Sequence, residues 1–117
     1  MPRILVVEDD PDVQTIVLEF LRRAGNQVVS ASSAEEARRL LQSEAVDLAL
    51  IDCLMSGEQG NSLAEHAAGL SIPTILTSGD PHYLEARCER SFPFLPKPFR
   101  LTVLNELISR TLLQDRE

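Results

Sequence analysis

Five short apolar runs, separated by stretches with helical spacing, constrain this chain more than any other feature. They are Arg3 to Val7 (RILVV), Gln27 to Ala31 (QVVSA), Asp47 to Ile51 (DLALI), Pro73 to Thr77 (PTILT) and Phe92 to Pro96 (FPFLP). Each is too short to be a buried helix, and the first and third are almost continuously apolar, as strands covered on both faces must be. Between them the period changes. Asp10 followed by Pro11 is a helix start, and Val13, Ile16, Val17, Phe20 and Leu21 then recur at inward helical spacing until Gly25-Asn26 stops the helix. Ser33-Ala34-Glu35-Glu36 is a capping box opening a helix with Ala37, Leu40 and Leu41 inward. Further helices are expected over Asn61 to Ala68, weakly over Pro81 to Arg90, and strongly from Leu101 to Leu112, leaving a frayed tail from Gln114 to Glu117. Strand and helix in alternation mean an α/β fold, a parallel sheet with helices on both faces.

The 117 residues suffice for one core, so residues 1–117 are expected to form a single domain with no effector domain. A net charge of -7 argues against a nucleic-acid surface, which needs clustered Lys and Arg. No apolar run approaches the ~20 residues needed to cross a bilayer, and the start MPRILVV does not resemble a signal peptide, so a cytoplasmic location is expected. Cys53 and Cys88 follow no metal spacing and read as small packing residues.

In folds of this class the working site lies beyond the carboxyl ends of the strands. The first strand delivers Glu8, Asp9 and Asp10 there, the third Asp52, the fourth Thr77 and Ser78, and the fifth Lys97. Two carboxylates ~4 Å apart repel by several kcal/mol at an effective dielectric of about 20, so grouped acids need a counter-charge. Lys97 supplies one positive charge against Glu8, Asp9 and Asp52, and a divalent cation would complete neutrality. Oxygen donors without His or Cys favour a hard ion, Mg2+ first. Carboxylate nucleophile, divalent metal, hydroxyl and lysine are together sufficient for phosphoryl transfer to an aspartate. Asp10 is read as a helix cap instead of a ligand, and Asp12 as a first-turn charge facing the helix dipole. His66 and His82 are read as surface residues.

The ordered set VVEDD, LALID, TSG and LPKPF resembles the receiver domain of two-component response regulators (CheY-like), across essentially the whole chain. The resemblance implies a flavodoxin-like, doubly wound sheet of strand order 2-1-3-4-5 with about five helices. It implies that Asp52 accepts a phosphoryl group from a sensor histidine kinase or histidine phosphotransfer protein. It further implies that Asp9 and Asp52 bind Mg2+ with Glu8 acting through water and the Leu54 carbonyl completing the set, that Lys97 meets the phosphoryl group, and that Pro98 follows a cis peptide. Ser78 is preferred over Thr77 as the switch hydroxyl, because it follows Pro73 at the family spacing and Gly79 comes next. Phe94 holds the position of the switch aromatic, with a plain core role as the alternative.

Some positions depart from the family pattern. Ser56 and Gln59-Gly60 replace residues usual after the phosphoacceptor, and the segment from Ser78 to Lys97 is short. Leu54 and Asp80 occupy the two positions that tune dephosphorylation; Leu54 cannot orient water, so a slow to intermediate loss of phosphate is expected, faster in Leu54→Asn. The wide apolar surface of the last helix is either a well-buried face or part of a surface for an unknown output protein, and a weak homodimer is allowed. The rivals are an aspartyl-nucleophile phosphohydrolase, disfavoured by Cys53-Leu54 where such enzymes carry a second Asp, and a receiver-like module that is never phosphorylated. Enzymatic activity beyond self-phosphotransfer and self-dephosphorylation is not expected.

Overall fold

The computed structural model describes residues 1–53, 60–79 and 92–116. In chain order its elements are β1 (Arg3–Val7), α1 (Pro11–Arg23), β2 (Gln27–Ala31), α2 (Ala34–Ser43), β3 (Leu48–Asp52), α3 (Gly60–Gly69), β4 (Thr74–Ser78), β5 (Phe94–Pro96) and α4 (Leu101–Arg116). The strands form one parallel sheet in the order β2-β1-β3-β4-β5, as the resemblance implied. The expected helix over residues 81–90 lies outside the described residues, which contain four helices.

Each sheet face has its own core, and the period of two along the strands decides which residue joins which. Leu5, Val7, Ala49, Ile51 and Leu76 meet Ala34, Ala37 and Leu41 of α2 and Leu63, Ala64 and Ala67 of α3. Ile4, Val6, Leu48, Leu50, Ile75 and Leu95 meet Val17 and Leu21 of α1 and Leu104 and Ile108 of α4. Because both faces are covered, β1 and β3 have no solvent-facing side, which is why their sequences read as nearly continuous apolar runs.

Local chemistry sets the helix ends. The Asp10 carboxylate accepts from the Asp12 N–H at 2.9 Å and the Val13 N–H at 3.4 Å, with Pro11 in the first helical turn. After α1, Gly25 adopts φ 97°, a left-handed conformation that favours glycine. The backbone and side-chain N–H groups of Asn26 then both donate to the Leu21 carbonyl. At α2, Ser33 Oγ accepts from the Glu36 N–H, but the Glu36 carboxylate accepts from the Ser32 N–H at 2.9 Å, closing the box one residue earlier than expected.

Tertiary packing corrects several expectations. Ile16, expected inward, is 57% exposed, because the buried stripe of α1 narrows to Val17 and Leu21. β3 starts at Leu48, since the Asp47 carboxylate turns aside to accept from the Arg3 N–H at 2.7 Å. β4 runs one residue further than expected, to Ser78. β5 is confined to Phe94–Pro96 on the sheet edge, where Pro93 and Pro96 lack the N–H that a longer ladder requires. α4 continues through Gln114 to Arg116 instead of fraying. Its apolar surface divides: Leu104 and Ile108 are buried, Leu101, Leu107 and Leu112 are half-buried, and Val103 and Leu113 are exposed. Among the described residues no helix is long and apolar enough to cross a membrane.

Candidate metal and phosphoacceptor site

Strand register brings the acids together. Val7 lies level with Ala31 on one side and Ile51 on the other, so the residues that follow, Glu8 and Asp52, leave adjacent strands at the same end of the sheet. Asp52 is in turn level with Thr77 of β4, and Thr77 with Leu95 of β5. Lys97 follows that last strand, and its N–H donates to the Ser78 carbonyl at 2.8 Å, which fixes where its side chain begins. The Lys97-Pro98 peptide is cis, as the resemblance implied.

One ammonium group serves two acids. Lys97 Nζ donates to Glu8 Oε1 at 2.6 Å and to Asp52 Oδ2 at 3.1 Å. The side chains of Glu8 and Asp52 are only 7% and 8% exposed, and that of Lys97 is 23% exposed, so these pairs are poorly screened by water. Burial raises the Glu8 carboxyl above its ordinary 4.5, and the Asp52 charge pushes the same way, against the hydrogen bond and charge of Lys97. Burial by itself would lower the Lys97 ammonium, but its bonds to Glu8 and Asp52 outweigh that and hold it above the usual 10.5.

Asp9, which is exposed, completes the group. Glu8, Asp9 and Asp52 each offer a carboxylate oxygen, and these oxygens lie within 4.8 Å of one another. In an octahedral shell with metal–oxygen bonds of about 2.1 Å, neighbouring oxygens sit roughly 3 Å apart and opposite ones roughly 4.2 Å. Small side-chain adjustments therefore suffice to grip one hard cation. Charge points the same way, since one lysine against three carboxylates leaves a deficit that a divalent ion matches. The three-carboxylate donor set fits a hard cation such as Mg2+; the Leu54 carbonyl lies outside the described residues, as do Asp80, His82 and Cys88.

Both candidate hydroxyls, Thr77 and Ser78, are buried. Parallel register puts Thr77 on the sheet face of Asp52, while alternation puts Ser78 one step nearer the strand end on the face of Leu76 and Phe94. Phe94 is half-buried and packs against the α2/α3 core. His66, read as a surface residue, is instead half-buried in α3 with Nε2 enclosed and without a hydrogen-bond partner.

Sequence reasoning passed over Gln14. This half-buried side chain of α1 donates from Nε2 to the carbonyls of Glu8 and Ala31, both at 3.1 Å. An amide in a helix carries no local signal of such a role, because its acceptors belong to two strand ends.

Comparison with known proteins agrees with this geometry. The family model of the response regulator receiver domain matches residues 4–109. Protein PetR of Rhodobacter capsulatus is 31% identical over 102 residues, covering 84% of this chain and 43% of PetR. TrrA of Thermotoga maritima, solved in complex with Mg(2+)-BeF, is 27% identical with a TM-score of 0.87, covering 95% of this chain and 99% of that one. The receiver domain of sensor histidine kinase PA1611 from Pseudomonas aeruginosa PAO1, with a magnesium ion coordinated in its active site cleft, is 27% identical with a TM-score of 0.86, covering 95% and 97%. The chain spans under half the length of the curated relatives it matches. With five parallel strands in the shared order and an acid group at their carboxyl ends, this chain belongs to the response regulator receiver domain family of two-component signalling.

Proposed function

We propose that the chain is a phosphoacceptor switch in which Asp52 takes a phosphoryl group from a phosphohistidine, with Mg2+ as cofactor. The observation that carries this reading is the buried arrangement of Lys97 between Glu8 and Asp52, with the Asp9 carboxylate beside them. An Asp52 oxygen attacks phosphorus, the phosphorus–nitrogen bond breaks, and the imidazole leaves with its electron pair and takes up a proton. Bound at Asp9 and Asp52, Mg2+ would neutralise charge on the transferring phosphoryl oxygens. Asp52 is held by Lys97 on a buried strand end, so its approach is set before the donor arrives. After transfer, Lys97 remains as the fixed cation beside the new charge, and a hydroxyl of Ser78, or alternatively Thr77, donates to a phosphoryl oxygen.

Signal output follows as a population shift: the phosphorylated state is favoured to the extent that Ser78 and Lys97 hold the phosphoryl group better in one conformation than in the other. Ser78 and Phe94 share a sheet face, which lets movement of the hydroxyl alter the room available to the aromatic ring. The donor is a cytoplasmic sensor histidine kinase or histidine phosphotransfer protein, and the output is a changed affinity for a protein partner, without direct nucleic-acid or membrane binding. Leu54 and Asp80 would set the lifetime of the phosphorylated state.

The test is incubation with acetyl phosphate, with and without Mg2+, followed by intact mass and phosphate release. A stable gain of one phosphoryl group that needs Mg2+ and disappears in Asp52→Asn supports the proposal. Continuous release of free phosphate indicates a phosphohydrolase instead. No modification at all indicates an interaction module that is never phosphorylated.

A further inference from the structure

We infer that Gln14 is a positioning residue for the magnesium site, acting through the backbone from which Glu8 and Asp9 branch; this rests on the reading of Glu8, Asp9 and Asp52 as that site. Its single Nε2 group spends both hydrogens on carbonyls, one on Glu8 and one on Ala31, each at 3.1 Å. Only the nitrogen end of the amide can donate to two carbonyls, so the orientation of the side chain is fixed by its partners. The Ala31 carbonyl also accepts from the Glu8 N–H at 3.1 Å, so the peptide groups on both sides of Glu8 are tied to the end of β2.

The second of those peptide groups links Glu8 to Asp9. Its plane sets the directions in which the two carboxylates leave the chain. The loop is under electrostatic load, because Glu8, Asp9 and Asp52 crowd their oxygens within 4.8 Å and Asp10 follows directly. Like charges at that spacing favour a splayed loop. Within Glu8 to Asp10 the Asp10 N–H reaches Glu8 Oε2 at 3.3 Å, a long local contact. Gln14 holds the loop from outside, and it stands on the first turns of α1, a helix fixed by the Asp10 cap and by Val17 and Leu21 in the core. Gln14 thus ties the Glu8 carbonyl to a helix whose own anchorage in the core does not depend on the acids.

The experiment compares wild type with Gln14→Met, which keeps the length of the side chain and removes its N–H groups. Calorimetric Mg2+ titration should show a roughly tenfold weaker Kd in the variant, the lower end of the loss seen when groups that orient metal ligands are removed. Metal-free urea unfolding is measured alongside. A lower urea midpoint with an unchanged Kd would show a merely structural clamp and overturn the inference. Absence of Mg2+ uptake by wild type would overturn both the functional reading and this inference, whereas wild-type uptake with an unaffected variant sinks the inference alone. If Gln14→Met does not fold, side-chain amide spectra of wild type decide. The Gln14 NH2 protons should exchange more slowly than those of exposed Gln42 and Gln114 and shift on Mg2+ addition, and failure of both overturns the inference.

Discussion

Replacing Lys97 with Met tests the electrostatics of the site most directly. The substitution keeps an unbranched apolar stem and removes the ammonium that sits 2.6 Å from Glu8 and 3.1 Å from Asp52. Taking one partner from a buried ion pair typically costs 3–5 kcal/mol, because the other charge is left unpaired. Lys97 is 23% exposed, which places the expected loss near the lower end, about 3 kcal/mol at pH 7.5 without magnesium. The loss should shrink on acidification. Glu8 already titrates above 4.5 in the folded protein, chiefly through burial, and removing Lys97 removes the contributions that hold it down. A carboxyl whose folded pKa exceeds its unfolded pKa binds more protons when folded. Stability therefore increases as pH falls through the folded value and levels off below 4.5. Lys97→Met should thus be destabilised strongly at pH 7.5, much less at pH 5, and Mg2+ should restore stability at pH 7.5 by replacing the lost charge. Urea unfolding followed by far-ultraviolet circular dichroism, at both pH values and with and without Mg2+, measures all of this; guanidinium salts would screen the effect. An equal loss at both pH values, unaffected by Mg2+, would assign the defect to packing and refute the electrostatic account.

Other substitutions separate the remaining roles. Asp10→Ala should cost about 1 kcal/mol in urea unfolding through loss of the α1 cap, with a Mg2+ affinity by calorimetry much less affected than in Asp9→Ala. Leu104→Ala removes a fully buried side chain from the α1/α4 core and should cost 2–5 kcal/mol, with acetyl phosphate modification retained at low temperature. Ser78→Ala should shorten the lifetime of the acyl phosphate more than Thr77→Val does, and the reverse order by mass spectrometry would transfer the switch role to Thr77.

The sequence by itself determined the parts of the protein that are written locally. Caps at Asp10 and Ser33, the stop at Gly25 and the short apolar runs are each decided by residues within a few positions of one another, so elements fell within one or two residues of expectation at most boundaries. The acids, the lysine and the hydroxyls were legible too, because a parallel α/β sheet delivers whatever follows its strands to one end. Only the tertiary structure decided how these groups meet. Lys97 finds Glu8 across 89 residues of chain because the parallel order 2-1-3-4-5 brings every strand end to the same side, so a lysine leaving the edge strand β5 reaches inward to the acids at the carboxyl ends of β3 and β1. The sharing of one ammonium between two acids, the exposure of Ile16, the enclosed Nε2 of His66 and the grip of Gln14 on two strand ends all depend on contacts between elements. Residue pattern constrains which face a side chain takes, but distance and partner are set by packing, where neighbours remote in sequence decide what remains in water.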